Sequence, residues 1–156
     1  MAVFPPTSGT GRRLIGASGA STTDYIGATS TTYPAGSMVT EGGSPRTYGS
    51  WVQMTASLSS DSIITAVFVL SSAVQGNTLM VFQVGVGGSG SEAAVATASI
   101  LAQANPSAVN YFGEVGFPVP PRVAAGSRVS VRLATPSGTG LNATVQLATV
   151  AASSLE

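Results

Sequence analysis

The sequence predicts an all-β protein: an antiparallel β-sandwich of jelly-roll type carrying an extended N-terminal arm. Three observations point there. Valine outnumbers leucine, 18 to 9, in a chain of 156 residues, and threonine is abundant; β-branched side chains suit a pleated, half-buried surface. Nineteen glycines and nine prolines supply turns. From Arg46 onward, short strand-like segments alternate with turn residues, the spacing of sandwiches and barrels.

Residues 1 to about 45 read as a flexible assembly arm. Runs such as Gly16-Ala17-Ser18-Gly19-Ala20-Ser21-Thr22-Thr23 hold few large apolar side chains, too little to offset the entropy of ordering the backbone. One short strand is expected near Thr32 to Val39. The segment reads either as a floppy tail or as an arm that orders on a neighbouring subunit, for which Phe4, Leu14, Ile15, Tyr25, Ile26 and Tyr33 would be the apolar anchors.

The sandwich domain is placed at 46–152. Thr47 to Leu58 is its first strand, with Tyr48, Val52 and Met54 on one face and Trp51 on the other. Ile63 to Ser71 is apolar on both faces and reads as a central strand. Leu79 to Val86 follows, then a glycine-rich turn and Ala93 to Leu101. Tyr111-Phe112 and Phe117-Pro118-Val119-Pro120 are short, and proline restricts that stretch to a sheet edge. In Arg128 to Leu133, Val129, Val131 and Leu133 alternate with Arg128, Ser130 and Arg132, the pattern of a half-buried strand. Asn142 to Val150 closes the domain with Val145 and Leu147 inward. Residues 153–156 form a tail of the kind a cloning junction leaves. Seven or eight strands result, with no readable order and no fixed-period repeat.

Composition narrows the function. Charged residues make up 8% of the chain, against roughly 25% in ordinary domains. Six arginines balance six acids, and lysine, histidine and cysteine are absent. A neutral surface of Ser, Thr, Gly and Ala favours association, although a genome biased toward alanine and arginine gives the same composition. Without cysteine there is no disulfide scaffold or thiolate metal site. Without histidine the commonest general base is missing. Balanced charge argues against nucleic acid. No run of 18 apolar residues would cross a membrane, and Met1 to Leu14 lacks the apolar stretch of a secretory signal. No cofactor, metal or catalytic residue is expected.

Gly85-Val86-Gly87-Gly88-Ser89-Gly90 matches a dinucleotide fingerprint in spacing. The fingerprint also needs a following helix and an acid about 20 residues on; the segment therefore reads as a hairpin turn. The acids Asp24, Glu41, Asp61, Glu92 and Glu114 are scattered, so a hydrolytic pair such as Glu92 with Glu114 would require folding to assemble it. Trp51 with Tyr48 reads as a core residue or a sugar-stacking platform. Three of six arginines, Arg122, Arg128 and Arg132, fall within eleven residues, which marks either a solvated strand face or a subunit contact. With Phe4, Leu14, Ile15 and Tyr25, they are the candidate assembly contacts.

Two segments, Gln83-Val84-Gly85-Val86-Gly87-Gly88-Ser89-Gly90-Ser91-Glu92 and Phe117-Pro118-Val119-Pro120-Pro121-Arg122-Val123-Ala124-Ala125-Gly126-Ser127-Arg128-Val129-Ser130-Val131-Arg132, resemble tailed-bacteriophage virion structural proteins. The likeness extends in texture over 46 to 150. It implies a non-enzymatic head decoration or cement protein, commonly a trimer, that binds the major capsid protein or another virion protein and copies of itself. It also implies a location on the virion, after assembly in the host cytoplasm. The alternative from a different class is a carbohydrate-binding sandwich at a fibre or receptor-binding tip.

Overall fold

Apolar alternation becomes strand wherever turn residues bracket it. The computed structural model describes residues 23–27, 36–72, 77–102, 113–138 and 140–155. Phe4, Leu14, Ile15, Tyr33, Tyr111 and Phe112 lie outside the described residues. Among the described residues there are ten strands: β1 (Thr23–Ile26), β2 (Ser37–Thr40), β3 (Val52–Thr55), β4 (Ser62–Ser72), β5 (Thr78–Val86), β6 (Ala93–Ala102), β7 (Gly113–Gly116), β8 (Arg122–Val123), β9 (Val129–Ala134) and β10 (Asn142–Ala151). A 3₁₀ turn, Ala152–Leu155, follows β10.

The strands form two antiparallel sheets. Sheet A runs β1-β10-β4-β7, with β2 also on β10 and β8 also on β4; sheet B runs β3-β9-β5-β6. Four pairings are nested along the chain: β5 with β6, β4 with β7 and β8, β3 with β9, and β2 with β10. The chain is thus a long antiparallel hairpin rolled over on itself. The roll is closed by two further pairings, β10 with β4 and β9 with β5.

The inner faces meet in one core. Val39, Ile64, Val67, Met80, Phe82, Val84, Val129, Val131, Leu133, Val145 and Leu147 are fully buried there. Each such side chain contributes about 1.5–3 kcal/mol through removal from water. β4 is central, as its two apolar faces predict, and Val145 and Leu147 point inward on β10. The proline run between β7 and β8 lies along the outer edge of β4, where Phe117 N–H donates to Thr65 O at 3.1 Å and Ile64 N–H donates to Pro121 O at 3.0 Å.

Residues 46–152 hold eight described strands, β3 to β10, matching the seven or eight expected there. Three expectations are corrected in detail. The first predicted strand contracts from Thr47–Leu58 to Val52–Thr55, because residues 47–50 follow a loop anchored by Gly49 N–H on Leu133 O at 2.9 Å. The alternation that set Tyr48 opposite Trp51 therefore does not extend back to Tyr48. β9 is buried on both faces rather than half-buried, since Ser130 is 0% exposed.

Within the zone read as an arm, β1 pairs with Leu147–Val150 and β2 pairs with Asn142–Val145, end to end along one edge of β10. Val39 of β2 enters the core. Its neighbour in strand parity, Glu41, is 5% exposed. The Glu41 carboxylate accepts the Leu141 N–H at 2.8 Å and the Thr135 hydroxyl, which ties β2 to the β9–β10 connection.

Candidate functional site

The outer face of sheet B gathers a cluster of polar and aromatic side chains. β9 runs between β3 and β5, and strand alternation sends Arg128, Ser130 and Arg132 to the face opposite the core. Register places Gln83 of β5 beside Arg132 and Gly85 beside Ser130. Gln83 Oε1 accepts two bonds from Arg132, from Nε at 2.9 Å and Nη2 at 2.6 Å. The guanidinium carbon lies 4.2 Å from the Trp51 ring centroid and 4.6 Å from that of Tyr48, within the range of cation–π attraction. Burial pushes the Tyr48 phenol above its ordinary pKa, and the Arg132 charge opposes that shift.

Gly85 makes room for the indole. A β-carbon there would come within 2.7 Å of the Trp51 ring. Gly85 is also the first glycine of the fingerprint-like run. Gly87 and Gly90, with φ of 136° and 79°, shape the β5–β6 hairpin. The next element is strand β6, where nucleotide binding requires a helix.

A second cluster lies beside the first. Arg128 Nε donates to Gln53 Oε1 at 2.9 Å, and Arg128 Nη1 pairs with Glu92 Oε1. The Glu92 side chain is only 2% exposed. The hydrogen bond from Arg128 holds its carboxyl below the usual carboxylate range, against the opposing effect of burial. Glu92 Oε2 and Ser130 Oγ are buried without a hydrogen-bond partner.

Of the predicted assembly contacts among the described residues, Arg128 and Arg132 share one face, while Arg122 and Tyr25 lie on sheet A. Arg122 sits on β8 at the edge of sheet A, 3.8 Å from Asp61, with both side chains more than half exposed. Tyr25 projects from β1 on the outer face of sheet A and meets Phe68 edge to face, centroids 5.4 Å apart. Glu92 and Glu114 are not brought together: Glu92 is bound to Arg128 beside sheet B, while Glu114 is exposed on β7 of sheet A. Among the described residues no three His, Cys, Asp or Glu side chains cluster as metal ligands, and no helix is long and apolar enough to cross a membrane.

Sequence reasoning missed Gln83, Gln53 and Glu41. Parity carried a signal for two of them. Gln83 interrupts an apolar strand on the same face as Gly85, and Glu41 shares the inward parity of Val39. No protein-family model matches the chain, no curated protein matches it, and no solved structure matches it.

Proposed function

We propose that this chain is a non-enzymatic structural protein of a bacteriophage particle, a decoration or cement component that binds the major capsid protein and copies of itself. The observation that carries this reading is the exposed surface. Tyr25, Met38, Leu79, Val95, Leu101 and Val119 are large apolar residues in contact with solvent, with Met38 63% and Val119 80% exposed. Much of the described charge is used internally: Glu41 is buried, and Glu92, Arg128 and Arg132 are engaged on sheet B. A surface so poor in free charge and so rich in apolar side chains fits burial in an assembly.

The fold supports the same class. Eight strands, β2 to β7 with β9 and β10, pair first with last, second with seventh, third with sixth and fourth with fifth. Such nesting is the ordering of a jelly roll, an architecture used by viral capsid and lectin domains.

The test mixes the purified protein with DNA-free heads assembled from the major capsid protein of the same phage genome. The expected result is co-sedimentation that saturates at a fixed number of copies per capsid subunit. Protein that remains in the supernatant at every ratio would exclude the cement role.

The partly exposed Trp51 beside Tyr48 favours a second reading, a saccharide-binding tip. Arg132 already lies against both rings, which weighs against a free stacking platform. Glycan-dependent quenching of Trp51 fluorescence would move the assignment toward that reading.

A further inference from the structure

The sandwich has four sheet edges, and they are unequal. On one side of sheet A the edge is β1 and β2, four residues each; on the other it is β7 and β8, of four and two residues. Sheet B ends in the four-residue β3 at one side. Its other edge is β6, ten residues long. Short edges offer little backbone for a neighbour, whereas a long edge is a template for strand addition. Among the described residues no strand pairs with the second edge of β6.

β6 also lacks the charged side chains and the proline that block an edge. Ala93–Ala102 contains no charged residue, no proline and no glycine. Its irregularity is a bulge at Val95, between Ala94 opposite Gly85 and Ala96 opposite Val84. Beyond the bulge, Ala96 to Ala102 is a regular run, with Thr97, Ser99 and Leu101 exposed and Ala98 and Ala102 buried. The neighbouring strand adds Leu79, register partner of Leu101, so the outer face beside this edge is apolar as well.

From this edge we infer that β6 is a self-association strand: it pairs antiparallel with β6 of a second copy about a two-fold axis and joins two B sheets into one eight-stranded sheet. The inference deepens the assembly reading by naming a partner for one surface. The run Ala96–Ala102 is centred on Ser99, so full overlap sets Ser99 against its own symmetry mate and Leu101 against Thr97 of the partner subunit. Opposed residues in such a ladder share a face, and hydroxyl pairs stabilise it. A strand without charge meets its copy without repulsion, and the chain as a whole has no net charge to drive copies apart. A charged foreign peptide would find nothing complementary along this edge. A two-fold contact differs from the trimer implied by the resemblance to virion proteins.

The test uses full-length Ser99→Lys and Ser99→Glu variants. Ser99 is exposed, so both should retain the wild-type thermal midpoint. Light scattering across the micromolar range should give a dimer for the wild type. Each variant alone should associate at least tenfold more weakly, through like charges facing across the axis. An equimolar mixture of the two should recover the dimer. A wild type that stays monomeric, or association indifferent to both substitutions, would overturn the inference. Co-sedimentation with heads is measured on the same variants. A wild type that self-associates but does not bind heads would count against the cement role alone, and a wild type that binds heads but stays monomeric, or variants that self-associate as the wild type does, would count against β6 pairing alone.

Discussion

Gln83 and Arg132 face each other across β5 and β9, and one amide oxygen of Gln83 accepts two N–H groups of the Arg132 guanidinium at 2.9 and 2.6 Å. That pairing holds the cation against Trp51 and Tyr48. Arg132→Ala should lower stability by about 1–3 kcal/mol, through loss of charge-assisted hydrogen bonds and ring contacts. Arg132→Lys should recover only part, because an ammonium cannot reproduce the planar fork. Trp51 is the single tryptophan, so its emission reports this site alone. A red shift in Arg132→Ala is expected, and unchanged emission with unchanged stability would remove the stack from the account.

Glu41 organises the other end of the sandwich. Replacement by alanine leaves the Leu141 N–H and the Thr135 hydroxyl without their acceptor in a buried site. Glu41→Ala should cost about 2–4 kcal/mol in denaturant unfolding. Glu41→Gln keeps one acceptor oxygen of similar shape and should cost less than half as much. Equal losses in the two variants would mean that packing, not hydrogen bonding, sets the cost.

Acid should dissolve the Arg128–Glu92 contribution. The Glu92 pKa is lowered in the folded protein, chiefly by the hydrogen bond from Arg128. A depressed carboxylate stabilises the fold at pH above its unfolded pKa of about 4.3, and that stability is lost as pH falls through the lower folded value. Wild type and Glu92→Gln should therefore differ in urea midpoint at neutral pH and converge in acid. A gap that persists unchanged below the folded pKa would show that the difference does not come from this ionisation.

Two N-terminal deletions should behave differently. Removal of residues 1–22 leaves every described strand in place, and a cooperative thermal transition should persist. Removal of residues 1–45 takes away β1, β2, buried Val39 and the Glu41 hydrogen bonds. That protein should lose its cooperative transition, as seen by circular dichroism and calorimetry. A stable 46–156 fragment would contradict the role given to β2.

The strands with their own apolar pattern were legible from sequence. β4, β5, β6, β9 and β10 fall where Ile63–Ser71, Leu79–Val86, Ala93–Leu101, Arg128–Leu133 and Asn142–Val150 were read. β1 was not, because Thr23–Ile26 has too little apolar surface to order itself; its order comes from pairing with β10, far along the chain. The burial of Ser130 was equally hidden, since it follows from flanking by β3 and β5 and from side chains gathered on the outer face. For the site, the arginine pattern pointed to β9, and both Arg128 and Arg132 act there. Their partners Gln83, Gln53 and Glu92 are 36 to 75 residues away in sequence, a separation that only the rolled hairpin brings to contact.

The claim at the centre of this account is that the sandwich assembles with copies of itself, and the mass of the purified full-length protein in solution tests it most directly. Light scattering over a dilution series should give a discrete oligomer that dissociates reversibly, at twice the 15.4 kDa chain mass if β6 is the contact. A constant mass of one chain at every concentration would contradict it.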